Sequence, residues 1–297
     1  MNDLEVFKQK FDPYLQDYLD KKMKSIINYT KDSSIIDYIN YAKKITLSGG
    51  KRIRPFIAFL TYQAFGGKET EKVLKLLIAL EIFHIFALIH DDIMDKGNMR
   101  HGIYASHIYI GEKLKKERGN KNYEHFGNSQ AILLGDLFFN WATEIINLNL
   151  DFDQSAIQRV RKFFFDMVDG TIVGQMLDID SQSRQKIIPT LNSKINYLKT
   201  ARYSFIYPLL IGASLAGELT SHAERFCKEL GLGLGIAFQS QDDIFDTNRK
   251  HKDLASQKEI VKDNIKSAKI IIANMEMEIK YKKKFLDLVE IIEKRTF

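Results

Sequence analysis

Of the 297 residues only Cys227 is a cysteine, and only four are prolines, at positions 13, 55, 189 and 208. A single thiol permits no internal disulfide and no cysteine-rich zinc site. Scarce proline leaves long stretches in which Leu, Ile, Phe, Ala, Lys and Glu recur every three or four residues, the period of amphipathic helices. That pattern argues against a β-sandwich or a parallel α/β sheet. The chain also lacks an arginine-rich arm. Lys and Arg outnumber Asp and Glu by six, but they are spread along the chain, so nucleic acid is not the expected partner; polyanionic small molecules suit the same modest surplus. A membrane span needs about 20 mostly apolar residues. The most apolar stretch, Val73 to His90, is interrupted by Lys75, Glu81, His84 and His90. Met1 to Lys10 is polar and mixed in charge, unlike a signal peptide. A soluble cytoplasmic protein with no transmembrane segment is expected.

What the chain has in abundance is helical periodicity. It predicts helices over about 3–30, 35–47, 54–65, 70–96, 129–149, 154–180, 192–218 and 221–247, with two more after 258. Glycine-bearing or polar joints fall at 48–50, 66–67, 116–128 and 181–190, and 115–122 reads as a solvated loop. Nothing resembles an interdomain linker or a repeat, so a single all-α domain over 1–297 is expected.

Two segments share the pattern Asp-Asp-x-x-Asp: Asp91-Asp92-Ile93-Met94-Asp95 and Asp242-Asp243-Ile244-Phe245-Asp246. On a helix, residues four apart lie about 40° from each other, so Asp91 and Asp95 share a face, as do Asp242 and Asp246. Gln239 falls about 60° from Asp242 on the same stripe. Each cluster ends an apolar helix, where crowded like charges repel unless something positive neutralises them. Hard carboxylate oxygens suit magnesium, which binds through a few carboxylates, waters and substrate phosphates. One such cluster is also the ordinary composition of a solvated helix end. Two of them carry the case for chemistry.

Cations suited to phosphate accompany them. Gly49-Gly50-Lys51-Arg52-Ile53-Arg54-Pro55 places flexible backbone and three cations before a helix, and Lys51 with Arg54 could grip one diphosphate. Lys199-Thr200 adds a cation and a hydroxyl, Arg100 follows the first acid cluster, and His84 lies about 20° around the helix from Asp91. Together they describe a site for two diphosphates.

These residues resemble the trans-isoprenyl diphosphate synthases, the polyprenyl synthetase family. The likeness runs from about residue 40 to 247 and rests on 49–55, on 91–95 with Arg100 and Gly102, on Gly135-Asp136, on Gly174-Gln175-x-x-Asp178, on Lys199-Thr200, and on Phe238-Gln239 before the second acid cluster. The resemblance implies an antiparallel helical bundle around a deep central cavity, usually a homodimer. It implies a magnesium-dependent prenyltransferase that joins an allylic diphosphate to isopentenyl diphosphate and releases pyrophosphate. By that resemblance Asp91, Asp92 and Asp95 hold two magnesium ions, and Asp242, with Asp243 and Asp246, holds a third. Arg100, Lys199, Thr200 and Gln239 contact the allylic diphosphate. Lys51, Arg54 and His84 bind isopentenyl diphosphate.

Two departures stand out. The family usually has Arg-Arg after the first acid cluster, the second arginine serving isopentenyl diphosphate; here the pair is Arg100-His101. Histidine is mostly neutral at neutral pH and grips less well, so weaker affinity that improves in mild acid is expected. After Asp246 the family's glycine-lysine loop and a further helical stretch do not follow, and residues 247–254 lead almost directly to the final helices; the stretch is either lost or omitted from the sequence, and omission is the preferred reading. In the family, residues four, five and eight before the first aspartate help set product length; here these are Ala87, Phe86 and Phe83. An aromatic at the fifth position with a small residue at the fourth implies farnesyl or geranylgeranyl diphosphate. Among the rivals, a terpene cyclase lacks its second metal motif here. A His-Asp phosphohydrolase leaves the second acid cluster unexplained. A non-catalytic subunit of a hetero-oligomeric synthase usually loses aspartates that this chain keeps.

Overall fold

The computed structural model describes residues 3–119, 121–148, 151–184, 188–245 and 254–294. In order, the described residues form α1 (Asp3–Tyr29), α2 (Ser33–Ser48), α3 (Ile53–Ala64), α4 (Glu71–Met94), the hairpin β1 (Met99–Arg100) and β2 (Ile103–Tyr104), α5 (Ser106–Arg118) and α6 (Tyr123–Ile146). Then follow α7 (Gln154–Gln182), α8 (Pro189–Asn196), a π-helix (Tyr197–Ile206), α9 (Tyr207–Ala216), α10 (Ser221–Phe245), α11 (Leu254–Asn274) and α12 (Ile279–Glu293). The helical reading of the sequence holds. By packing, the chain divides into two compact units, Met1–Arg52 with Leu74–Asn149 and Ile53–Val73 with Leu150–Phe297.

In the first unit, α1 buries Leu4, Phe7, Phe11, Leu15, Leu19 and Met23, a three- and four-residue stripe that leaves its charged face in water. Asp32 caps α2 by accepting from the Ser34 and Ile35 amides at 2.9 and 3.0 Å. α4 is apolar nearly all round. It is long and apolar enough to cross a membrane by length and composition, but 67% of its most apolar window is buried in the protein, as in a core helix. α5 corrects the reading of 115–122 as loop: the helix runs to Arg118, where Gly119 takes a left-handed φ of 58° and its amide donates to the Lys115 carbonyl. Its charged outer face hid a buried seam of His107, Ile110, Gly111 and Leu114. α6 likewise starts at Tyr123, six residues before the expected 129.

In the second unit, Asp153 caps α7 by accepting from the Ala156 amide at 2.9 Å. The expected helix over 192–218 is α8, the π-helix and α9, the middle ten residues being wound one residue wider per turn. α10 packs on this π-helix through glycines. A Cβ added at Gly235 would stand 2.3 Å from the Ala201 Cα, and one at Gly231 would stand 2.8 Å from the Ile206 Cα. The two backbones therefore touch with no side chain between them.

Candidate active site

The first acid cluster closes α4. Asp92 is buried, Asp91 is half-buried and Asp95 is exposed. Past Met94 the chain reverses through the β1–β2 hairpin, with positive φ at Lys96, His101 and Gly102, and this returns Arg100 to the helix end. Arg100 grips Asp92 with two nitrogens: Nε donates to Oδ2 at 3.2 Å and Nη2 to Oδ1. Burial works against the charge of Arg100, but its bonds to Asp92 and the nearby charges of Asp91 and Asp95 win, holding the guanidinium protonated. His107, on α5, is also buried; burial pushes its imidazole below the ordinary range, with Asp92 pulling the other way.

One turn before Asp91, three rings gather. Phe86 lies 5.4 Å from Phe83 and 5.1 Å from Phe139, and its other edge meets His90 at 4.8 Å. Phe83 is wholly buried, whereas Phe86 and Ala87 are half-buried. The His90 Nε2 lies 3.0 Å from the Ile132 carbonyl, and Gly135 makes room for the ring, since a Cβ there would stand 2.3 Å from Nε2. This accounts for the glycine of Gly135-Asp136. His84 is half-buried on the same helix.

The basic loop does not present three equivalent cations. Lys51 is exposed. Arg52 is buried and points inward, and the His101 ring lies directly over Gly49, where a Cβ would stand 2.3 Å from its Cγ. His101 Nδ1 is 3.4 Å from the Ile45 carbonyl.

In the second unit Arg54, in the first turn of α3, donates through Nη2 to Ser204 Oγ at 2.8 Å and lies 4.0 Å over the Tyr203 ring. The π-helix presents Lys199 and Thr200 in succession. Lys199 Nζ donates to Asp178 Oδ2 at 2.6 Å. Thr200 Oγ1 donates to Gln239 Oε1 at 2.7 Å, and Gln239 Nε2 donates onward to Asp243 Oδ1 at 3.3 Å. Asp243 is buried and Asp242 is half-buried. Asp246 and the segment 247–253 lie outside the described residues. Gly174 lets α7 approach, as a Cβ there would be 3.1 Å from the Lys199 amide nitrogen.

Among the described residues no three His, Cys, Asp or Glu side chains converge into a ready metal cage. Paired carboxylates at a helix end offer fewer but harder oxygens. That donor set fits magnesium, which completes its shell with water and phosphate oxygens.

Residues 37–296 match the polyprenyl synthetase family. The chain belongs to that family. Among curated polyprenyl synthetases, it is 30% identical over 270 residues to the geranylgeranyl diphosphate synthase of Cyanophora paradoxa, covering 83% of this chain and 81% of that one. It is 32% identical over 201 residues to the geranylgeranyl diphosphate synthase of Methanosarcina mazei, covering 67% of this chain; the matched region spans only 55% of that relative's length. In fold, it is similar to the crystal structure of geranylgeranyl pyrophosphate synthase from Corynebacterium glutamicum, solved with isoprenyl diphosphate and magnesium: TM-score 0.86, 23% identity, 97% of this chain and 99% of that one.

Sequence reasoning named Lys199, Thr200 and Gln239 but not the carboxylate that orients the lysine. Asp178 stood in the Gly-Gln-x-x-Asp motif without a role, and its pairing with Lys199 gives it one. Tyr203 and Ser204, which hold Arg54, were missed. The π-winding that sets them beside Arg54 leaves no mark in the apolar period.

Proposed function

We propose that this polyprenyl synthetase is a magnesium-dependent prenyltransferase, acting as one domain, that condenses an allylic diphosphate with isopentenyl diphosphate. The product is farnesyl or geranylgeranyl diphosphate plus pyrophosphate. In the first unit, Asp91, Asp92 and Asp95 are the residues to hold two ions, with Arg100 on the allylic diphosphate. In the second, Asp242, Asp243 and Asp246 are those to hold a third, with Lys199, Thr200 and Gln239 as diphosphate contacts. Lys51, His84 and His101 serve isopentenyl diphosphate, and Arg54 is a further diphosphate-binding cation. The observation that carries this reading is the pair of acid clusters, each held by hydrogen bonds to a partner named for diphosphate binding.

Bound magnesium supplies positive charge that stabilises pyrophosphate as a leaving group. Arg100 and Lys199 add fixed charge where the leaving oxygen becomes negative, and Thr200 adds a hydroxyl donor. Lys51 orients isopentenyl diphosphate so that its double bond attacks the allylic carbon as the C–O bond breaks. The departing pyrophosphate is the base that takes the final proton. The Phe86 ring limits chain growth. The protein works as a cytoplasmic homodimer.

A non-catalytic subunit is not favoured, because the curated relatives are named as synthases. Purified protein given magnesium, labelled isopentenyl diphosphate and dimethylallyl, geranyl or farnesyl diphosphate tests the proposal. Labelled C15 or C20 diphosphate is expected, and chelation of the metal should abolish it. No product from any primer, or product indifferent to chelator, rejects it.

A further inference from the structure

Arg52 is the largest fully buried side chain among the described residues. It stands between two cations assigned to substrate, yet its side chain has no exposed surface. All three guanidinium nitrogens are engaged: Nε donates to Asp12 Oδ1 at 2.9 Å, Nη1 to Glu81 Oε1 at 2.6 Å, and Nη2 to the Thr46 carbonyl at 2.7 Å. Those acceptors belong to α1, α4 and the end of α2. One side chain therefore ties three helices to the loop that carries Lys51.

The loop backbone is shaped around this group. Arg52 has a φ of 54°, a left-handed conformation rarely adopted by a residue with a side chain. Gly50 has a φ of 88°, and a Cβ there would stand 2.7 Å from Arg52 Nη1. On the other side the His101 ring leaves no room for a Cβ at Gly49. A left-handed residue costs strain that persists only where its surroundings over-determine it. Here the three-way hydrogen bonding of the guanidinium does so.

We infer that Arg52 is a positioning residue for isopentenyl diphosphate: it never touches the ligand, but fixes the Gly49-Gly50-Lys51 loop so that Lys51 meets the diphosphate. The inference rests on the prenyl-transfer reading. Charge alone does not fill this role. Lysine keeps the charge, but its ammonium cannot reproduce a planar fork aimed at three acceptors.

Steady-state kinetics of Arg52→Lys and of the double variant Arg52→Met/Glu81→Gln test this. The double variant leaves no buried carboxylate without its cation, because Asp12 is partly exposed and can be solvated. Cooperative melting confirms that each is folded. In both, KM for isopentenyl diphosphate should rise about tenfold, while kcat and KM for the allylic diphosphate stay within about twofold, as expected for lost ground-state positioning of one substrate. Lys51→Ala should raise the same KM. Equal changes for both substrates, or an unchanged KM for isopentenyl diphosphate in a folded variant, overturns the inference alone. Wild-type protein that makes no product from the two diphosphates and magnesium overturns the prenyl-transfer reading, and the inference with it.

Discussion

In the first unit the acid cluster already has a cation, since Arg100 grips both oxygens of the buried Asp92. In the second, the buried Asp243 accepts from the neutral amide of Gln239 at 3.3 Å, and Lys199 donates to Asp178. Two segments with the same Asp-Asp-x-x-Asp spelling thus differ in one partner, a guanidinium at Asp92 and an amide at Asp243. A carboxylate held by guanidinium is partly neutralised before any metal arrives, whereas an amide gives a hydrogen bond and no charge. Substitution at the two places therefore tests what a charged and a neutral partner each contribute.

The largest effect should come from breaking the first arrangement. Asp92→Ala removes a carboxylate and leaves Arg100 without it in a largely buried place, so kcat should fall about a thousandfold or more and stability by about 3 kcal/mol. Turnover and thermal melting measured together would show both losses. Asp243→Asn sharpens the contrast: turnover should fall about a hundredfold and the magnesium needed for half-maximal rate should rise, with little change in melting. If the two variants lose equal stability and show equal magnesium dependence, the contrast is false.

Lys199→Met should cost about a hundredfold in kcat, and Asp178→Asn, which only loosens the lysine, about tenfold. Equal losses would mean that Asp178 does more than orient Lys199. Phe86→Ala opens the ring cluster beside the first acid segment and should lengthen the product, read by chromatography with little change in rate. An unchanged product would discard Phe86 as the limit. Smallest is an acid effect at His107. Its imidazole is held below the ordinary range by burial, so below about pH 6.5 the unfolded chain takes up a proton that the folded one resists. Stability present above that pH is lost as pH falls. His107→Gln should flatten the melting temperature between pH 7.5 and 5.5, and an unaltered slope would assign the acid sensitivity elsewhere.

Helices and acid clusters were legible because both are local: apolar spacing fixes a buried face, and four-residue spacing sets carboxylates on one side. Asp91, Asp92, Arg100, Thr200 and Gln239 could be named from the string alone. Their partnerships could not, because the hydrogen bond from Thr200 to Gln239 joins residues 39 positions apart. α5 escaped notice because its charged face outnumbers its buried seam. Arg52 read as one of three cations before a helix, since nothing in Lys-Arg-Ile-Arg says which side chain turns inward; Asp12 and Glu81, which decide it, lie far off in the chain.

The bare contact between α10 and the π-helix has a mechanical consequence. From Gly235 to Asp243 is eight residues, an arm of about 12 Å. A tilt of about 10° at that fulcrum would swing the carboxylate by about 2 Å and Gln239, on the same helix, by about 1 Å, enough to stretch the hydrogen bond that Thr200 donates to it from the π-helix. An extra methyl at Gly235 would thus be felt at the far tip of the arm, so a residue that touches neither ion nor substrate sets the aim of one that does.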